Sequence, residues 1–306
     1  MANPVKDTPW GAIEVADAHV HFFSPAFFAA IKKEKGTEDV ATLLGWDEPT
    51  TPEDLATRWV AELDRHQVSR AMLIASIPND TSSIGAALAS FPDRFTGVYM
   101  ANPTLPAADM KFVSASKEEG VSGIFLFPAM HRYSLHDPHV RSLVQVVAGH
   151  SNPFVHVHCG ALSIGFRKKL GLPSRFDMRY SNPIDLHELA NDFPRVNFVV
   201  PHFGAGYFRE TLMLADLCPN IYLDTSSSNH WMAWQPGSLT LVDVFRQALQ
   251  VVGPKRLLFG SDSSFFPRGW VGKVFDDQVR ALAELGADAE TARAIFGGNL
   301  IRLLEE

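Results

Sequence analysis

The chain has 306 residues, 46% of them hydrophobic and 20% charged, with a formal net charge of -7. This balance suits one large globular domain with ample core, and the mild acidity, with no basic stripe to neutralise phosphates, argues against a nucleic-acid binder and for small-molecule partners. Two cysteines, Cys159 and Cys218, allow neither a disulfide framework nor a four-cysteine zinc site and suit a reducing cytoplasm; Met1 to Thr8 lacks a signal peptide's apolar core, and no apolar run is long enough for a membrane span.

Glu14 to Phe22 reads as the first strand and carries Asp17-Ala18-His19-Val20-His21. Strict alternation sends Asp17, His19 and His21 to one face and Ala16, Ala18, Val20 and Phe22 to the other. Phe23 to Thr51 is irregular apart from a helical patch at Ala26 to Lys35, and reads as an insertion able to cover a pocket. Thr51 as N-cap and Pro52 at the first helical position open a helix that ends near His66. A regular alternation follows. Strands at Arg70 to Ser76, Phe95 to Ala101, Gly123 to Phe127 and Pro153 to His158 are separated by helices at Thr81 to Phe91, Ala107 to Glu119 and Asp137 to Gly149. A second irregular stretch, Gly160 to Asn182, precedes a helix at Pro183 to Asp192. Strands at Val196 to His202, Ile221 to Thr225 and Arg256 to Asp262 then alternate with helices at Tyr207 to Leu217 and Leu239 to Val251, and helices from Val271 close the chain. Eight short strands, mostly apolar on both faces and each followed by a helix, predict an α/β fold: a TIM barrel as a single domain over residues 1–306, with an insertion after the first strand. A doubly wound open sheet is the second architecture that the pattern allows.

Active sites of TIM barrels lie at the C-terminal ends of the strands. His19 and His21 end the first strand, His158 the fifth, His202 the sixth and Asp262 the eighth. Barrel closure sets the eighth strand beside the first, so Asp262 comes beside His19 and His21, and His158 faces them across the mouth. His19, His21, His158 and Asp262 are the candidate ligands of one divalent ion, because neutral imidazole suits zinc and several other divalent ions. An isolated HxH pattern fits two histidines on a half-buried strand equally well; the downstream residues tip the reading to metal. Asp262 can also take a proton from water, and His202 is either a further ligand or a base.

The remaining candidates have bland alternatives. His156 reads as a buried, hydrogen-bonded histidine one layer below His158, and Asp17 as a structural carboxylate below His19 that serves the ligand histidines. Asp224 ends the seventh strand as either a substrate group or a structural hydrogen-bonder. Arg268 can clamp a substrate carboxylate or cap the next helix. His230 and Trp231, in the aromatic segment after the seventh strand, are candidate substrate contacts, or pack against a second subunit. The basic run Arg167 to Lys169 reads as a solvated face.

The motifs DAHVHF, FVHVHCG, FVVPHFGAGYFRE, LLFGSDSSFFPRGW and IFGGNLIRLL stand in this order across nearly the whole chain. As a set they resemble the amidohydrolase superfamily, and most closely its amidohydrolase 2 branch. The resemblance implies a barrel with one divalent metal, usually zinc with manganese as an alternative, on His19, His21, His158 and Asp262. It also implies that His202 acts on water or substrate and that Asp262 shuttles a proton. Superfamily members with two metals commonly bridge them with a carbamylated lysine on the fourth strand or with a glutamate; Gly123 to Pro128 here has neither, which favours one metal. The branch is mixed in chemistry, so the expected function is metal-dependent hydrolysis of a lactone, ester or amide, with non-oxidative decarboxylation of an aromatic or unsaturated acid as the alternative. A barrel without catalysis is the third reading, and the intact ligand set speaks against it. A homodimer is compatible with the aromatic loops and with family habit.

Overall fold

The computed structural model describes residues 4–227 and 229–305. Met1, Ala2 and Asn3, the start of the stretch read as lacking a leader, lie outside the described residues. A short antiparallel hairpin comes first, β1 (Lys6–Thr8) and β2 (Gly11–Ile13). Strands of three residues carry no readable periodicity, so the sequence reading has no counterpart to it. Trp10 at its turn donates from Nε1 to the carbonyl of Ala287, 2.7 Å away, and ties the hairpin to the barrel.

Eight parallel strands then follow in sequential order: β3 (Val15–Phe22), β4 (Val68–Ala75), β5 (Phe95–Ala101), β6 (Gly123–Leu126), β7 (Phe154–Val157), β8 (Asn197–Val200), β9 (Ile221–Asp224) and β10 (Leu257–Leu258). Only two residues of β10 pair with β9, but the chain beyond them runs along β3. Ala18 donates to Phe259 O at 2.8 Å, Asp262 to His19 O at 3.0 Å and His21 to Ser263 O at 2.8 Å. These bonds close the sheet into a TIM barrel, which disposes of the open-sheet alternative, and they bring Asp262 beside the two histidines.

Apolar side chains form three layers. Ala16, Ala18, Met72, Ile74, Val98, Phe125 and Leu258 fill the barrel interior, where Leu300 and Leu303 of the last helix (Asn299–Glu305) join them. A larger cluster lies between the strands and the surrounding helices and includes Val15, Val20, Phe22, Trp59 and Phe259. A third, separate cluster joins Phe23, Phe27, Phe28, Ile31, Val40 and Leu44 to Leu170. It covers the barrel mouth. Its members come from residues 23–51, with helices at Pro25–Lys35 and Val40–Leu44, and from the short helix Gly165–Lys169 and its end.

The expected strict alternation along β3 fails at one place. The register against β4 shifts between Asp17 and Val20, so three steps on β3 face two on β4. Such a bulge turns one extra residue and re-aims the side chains after it. Ala16 and Ala18 both point into the barrel, whereas Val20 and Phe22 point out toward the helices. Asp17 therefore does not share a face with His19; its Oδ2 accepts from Trp270 Nε1, at 2.7 Å, in the outer layer.

Candidate active site

Two strands stop just short of the site residues that follow them. β7 ends at Val157 and β8 at Val200, one and two residues before His158 and His202. Pro201 lacks an N–H and cannot continue the ladder. The chain turns there into a short 3-10 segment in which His202 and Phe203 have φ of 57° and 52°. Asp262 also has positive φ, 57°. Left-handed backbone at two site residues is costly and persists because the surrounding structure holds it. At Asp262 the holding bonds are those across the barrel seam.

His19 Nε2, His21 Nε2 and Asp262 Oδ1 form a triangle with sides of 3.4, 3.5 and 3.7 Å. A tetrahedral ion with ligands at about 2.0–2.2 Å sets its donors roughly 3.3–3.6 Å apart, so the triangle fits one such ion. Each histidine is held by its other nitrogen. His19 Nδ1 lies 2.5 Å from Asp224 Oδ2, and His21 Nδ1 lies 2.9 Å from Ser76 Oγ. His202 Nδ1 lies 2.9 Å from Ser226 Oγ. Anchoring through Nδ1 leaves Nε2 as the free lone pair on each ring. Ser226 donates its backbone N–H to Asp224 Oδ1 at 2.6 Å, so one turn at the end of β9 supports both His19 and His202.

Burial and the neighbouring charges set the protonation of the site. Burial would raise the Asp224 carboxyl, but the His19 charge and the hydrogen bonds from His19 and Ser226 overcome it and hold the group near 2. Burial and the neighbouring His19 charge push His21 down to about 3. Burial likewise drives His158 well below its ordinary value and lowers His202. These rings are neutral near pH 7 and available as ligands or bases. Asp17 behaves differently: burial raises it to about 6 although Ser261, His19 and Trp270 all hydrogen-bond to it. It accepts from the backbone N–H of His19 at 2.9 Å and of Ser261 at 3.0 Å. Asp17 thus fixes the backbone, and the ring partner of His19 is Asp224; of the two readings of Asp224, the structural one holds.

A pocket of about 760 Å³ opens at this end of the barrel, within the usual range for small-molecule sites. His19, His21, His158, His202, Asp262 and Arg268 all line it. His158 is buried, with its ring 5.4 Å from that of His202 and stacked on Phe127 at 5.6 Å, but it is not part of the tight triangle. Its Nδ1 is buried with no partner among the described residues. His156 is buried as expected, but neither ring nitrogen has a hydrogen-bond partner among the described residues. Arg268 lies over the Phe265 ring at 4.5 Å and donates to Ser264 Oγ at 2.7 Å and Asp262 O at 3.2 Å, so it faces the pocket and does not cap the next helix.

Two expectations are corrected by the pocket's lining. His230 and Trp231 are not among the residues lining the pocket: Trp231 is buried against Phe208 at 5.5 Å, and exposed His230 sits edge-on to Trp234 at 5.6 Å. The short helical turn Asn229–Trp234 carries them over the sheet–helix layer instead. The run Arg167 to Lys169 is not simply a solvated face, since Arg167 and Lys169 line the pocket and Arg167 pairs with Glu34 at 2.5 Å. Ser76 and Ser226 were missed. They stand one and two residues after strand ends, which was the available signal, but a lone serine there is too common to single out.

The chain matches the amidohydrolase family model Amidohydro_2 over residues 16–305. Among curated proteins it is 29% identical over 252 residues to the 2-keto-4-carboxy-3-hexenedioate hydratase of Sphingobium sp., covering 70% of this chain and 66% of that one. It is 33% identical over 110 residues to the protein FluG of Emericella nidulans, covering 33% of this chain and 12% of that one. The matched regions thus span less than two thirds of either relative. Among solved structures, a 5-carboxyvanillate decarboxylase of Novosphingobium aromaticivorans with bound manganese superposes at a TM-score of 0.61 with 16% identity, over 96% and 97% of the two chains. A probable 2-pyrone-4,6-dicarboxylic acid hydrolase of Acinetobacter baumannii with citric acid bound gives 0.61 and 15%, over 96% and 100%. A Burkholderia multivorans amidohydrolase with bound zinc gives 0.61 and 15%, over 95% and 99%. At these identities the structural likeness is one of fold. The family match runs from the second residue of β3 to the last described residue and includes both halves of the His19–His21–Asp262 triangle: this chain belongs to the amidohydrolase family.

Proposed function

We propose that this amidohydrolase-family enzyme is a metal-dependent hydrolase of a small carbonyl compound, a lactone, ester or amide. The observation that carries the reading is the 3.4–3.7 Å triangle of His19, His21 and Asp262 inside the pocket. His19, His21 and Asp262 would hold one divalent ion, with His158 and its unpartnered ring nitrogen as the fourth donor. Zinc is the first candidate and manganese the second, because imidazole with one carboxylate serves either. When bound, the ion supplies a Lewis acid that lowers the pKa of water and polarises the carbonyl. Asp262, 30% exposed and lining the pocket, accepts the proton of the attacking water and returns it to the leaving oxygen or nitrogen. His202 offers its Nε2 lone pair to the water, with its ring set by Ser226. Arg268 orients an acidic group of the substrate.

Non-oxidative decarboxylation is the second reading, and Arg268 favours it: the guanidinium faces the pocket with no carboxylate partner among the described residues. The named activities of the relatives, a hydratase, a pyrone hydrolase and a decarboxylase, support both readings and act on oxygen-rich acids. Product analysis on a panel of lactones and aromatic acids separates them. Ring opening without carbon dioxide supports hydrolysis; release of carbon dioxide supports the second reading. Full turnover by Asp262→Asn overturns both.

A further inference from the structure

We infer that the pocket is built for an acid with a single carboxylate and a large planar apolar body, rather than for a compact polyacid. The inference names the substrate class of the same site and so rests on the pocket assigned above, but not on its metal. Its first support is a count of positive groups. Three basic side chains line the pocket: Arg167, Lys169 and Arg268. Arg167 is already engaged, pairing with Glu34 through both terminal nitrogens at 2.9 and 2.5 Å and donating to Pro173 O. Glu34 also lines the pocket, so that pair adds no net charge to it. Lys169 ends the outer helix Gly165–Lys169 and, though exposed like Arg268, has no hydrogen bond among the described residues to hold it in place. Arg268 is the one guanidinium held in place with donors to spare: its recorded bonds all leave from one terminal nitrogen, and Phe265 supports its plane. A planar fork in that state suits one carboxylate, taken by two parallel hydrogen bonds. A second and third carboxylate would meet the carboxylates of Asp262 and Glu34 with only the unanchored Lys169 at the rim to offset them.

The second support is the wall beside Arg268. Phe27 and Phe23 stack at 4.1 Å with planes 5° apart, Phe23 and Trp46 at 5.5 Å and 26°, and Trp46 and Phe265 at 4.2 Å and 16°. Arg268 caps this series over Phe265. Phe125 and Phe127, themselves stacked at 4.3 Å, line the same pocket from β6 and the residue after it, with Met100 and Met130. These rings offer flat apolar surface, which rewards a planar hydrocarbon body and leaves a carboxylate set against them desolvated and unpaired. The volume of about 760 Å³ exceeds what a single-ring acid fills and accommodates two fused rings or an equivalent chain.

The test is direct binding, read by quenching of tryptophan fluorescence and by calorimetry on the full chain, both as purified and after chelator treatment. The probes are 2-naphthoate, 2-naphthol and benzene-1,3,5-tricarboxylate. The expected result is 2-naphthoate binding about tenfold or more tighter than the tricarboxylate, with or without chelator. Arg268→Gln should weaken 2-naphthoate about tenfold while leaving 2-naphthol within about twofold, and Trp46→Ala should weaken both. Arg268→Lys provides a second variant if the glutamine protein does not fold, and should lose affinity for 2-naphthoate alone. Tighter binding of the tricarboxylate, or an Arg268→Gln effect shared equally by the acid and the alcohol, overturns the inference. If 2-naphthoate binds as expected while the protein takes up no divalent ion, the metal-dependent function fails and this inference stands. If the ion binds and the tricarboxylate wins, the reverse holds.

Discussion

Asp224 decides what His19 can do. A carboxylate 2.5 Å from Nδ1 fixes the tautomer, so the lone pair sits on Nε2 and faces His21 and Asp262. Asp224→Asn keeps the shape and removes the charge, and an amide can present its NH2 group to Nδ1 and select the wrong tautomer. Zinc affinity should fall about 10–100-fold, measured by competition with a chromophoric chelator, while the circular dichroism spectrum stays unchanged. His202→Asn should instead leave metal content unchanged and lower kcat by a factor of roughly 10²–10⁴, the range of a lost general base. A third position tests the packing beneath the site. A Cβ on Gly260 would stand 2.5 Å from Asp224 Oδ1 and 2.9 Å from His19 Cβ. Gly260→Ala should cost about 1–3 kcal/mol in a denaturant titration and weaken metal binding as well. At this scale the sequence was readable where one chemistry has few alternatives: two histidines on one strand end and an aspartate on the strand that closes against it. It was not readable for His230 and Trp231, because a loop's direction after its strand is set by tertiary packing, here the burial of Trp231 against Phe208. Nor could Asp224 be resolved, since its role is defined by a residue 205 positions away.

Among the elements, the barrel strands were legible because buried parallel strands are short apolar runs separated by well-capped helices. Thr51 does cap the helix Pro52–Arg65 by accepting from Asp54 N–H, and Asp137 caps Pro138–Val147. The bulge in β3 was not legible, since register depends on the partner strand, and it is what separates Asp17 from His19. The irregular stretches at residues 23–51 and 160–182 gave little warning that they meet. They do so through the cluster around Phe23, Phe27 and Leu170 and through one ion pair, Glu34 with Arg167. The Arg167 hydrogen bonds and charge lower the Glu34 carboxyl below its ordinary 4.5 despite partial burial. A group whose folded pKa is depressed stabilises above its unfolded value and loses that contribution as pH falls through the folded one. The contact between the two stretches should therefore be fully present at neutral pH and weaken below about pH 4.5, the ordinary carboxyl value. Hydrogen exchange should show protection of Pro25–Lys35 falling in that acid range in the wild type. In Glu34→Gln protection should already be lower at pH 7 and change little with acid. A wild-type helix whose protection is constant from pH 7 to pH 3 would contradict this account.

The molecule as a whole is held by layers that do not depend on the candidate metal ligands. The barrel interior, the strand–helix layer and the cluster over the mouth are each continuous apolar packings. The seam that brings Asp262 to His19 is made of backbone hydrogen bonds, and Asp17 fixes both sides of it through His19 N–H, Ser261 N–H and Trp270. The histidines are anchored by Asp224, Ser76 and Ser226 whether or not an ion joins them. An ion bound only to the folded state still adds stability by mass action, about 4 kcal/mol when its free concentration is a thousand times its Kd. Spread over a chain of this length, that corresponds to a shift in Tm of about 6 °C. Chelation should therefore abolish turnover and lower Tm by this modest amount, with the far-ultraviolet spectrum intact, and added zinc or manganese should restore activity without a refolding step. In a small zinc domain the ion replaces the core, and its removal unfolds the chain. Loss of most helical signal on chelation would mean that closure at the β10–β3 seam depends on the ion bridging Asp262 to the histidines, and that the backbone bonds across it follow from that bridge.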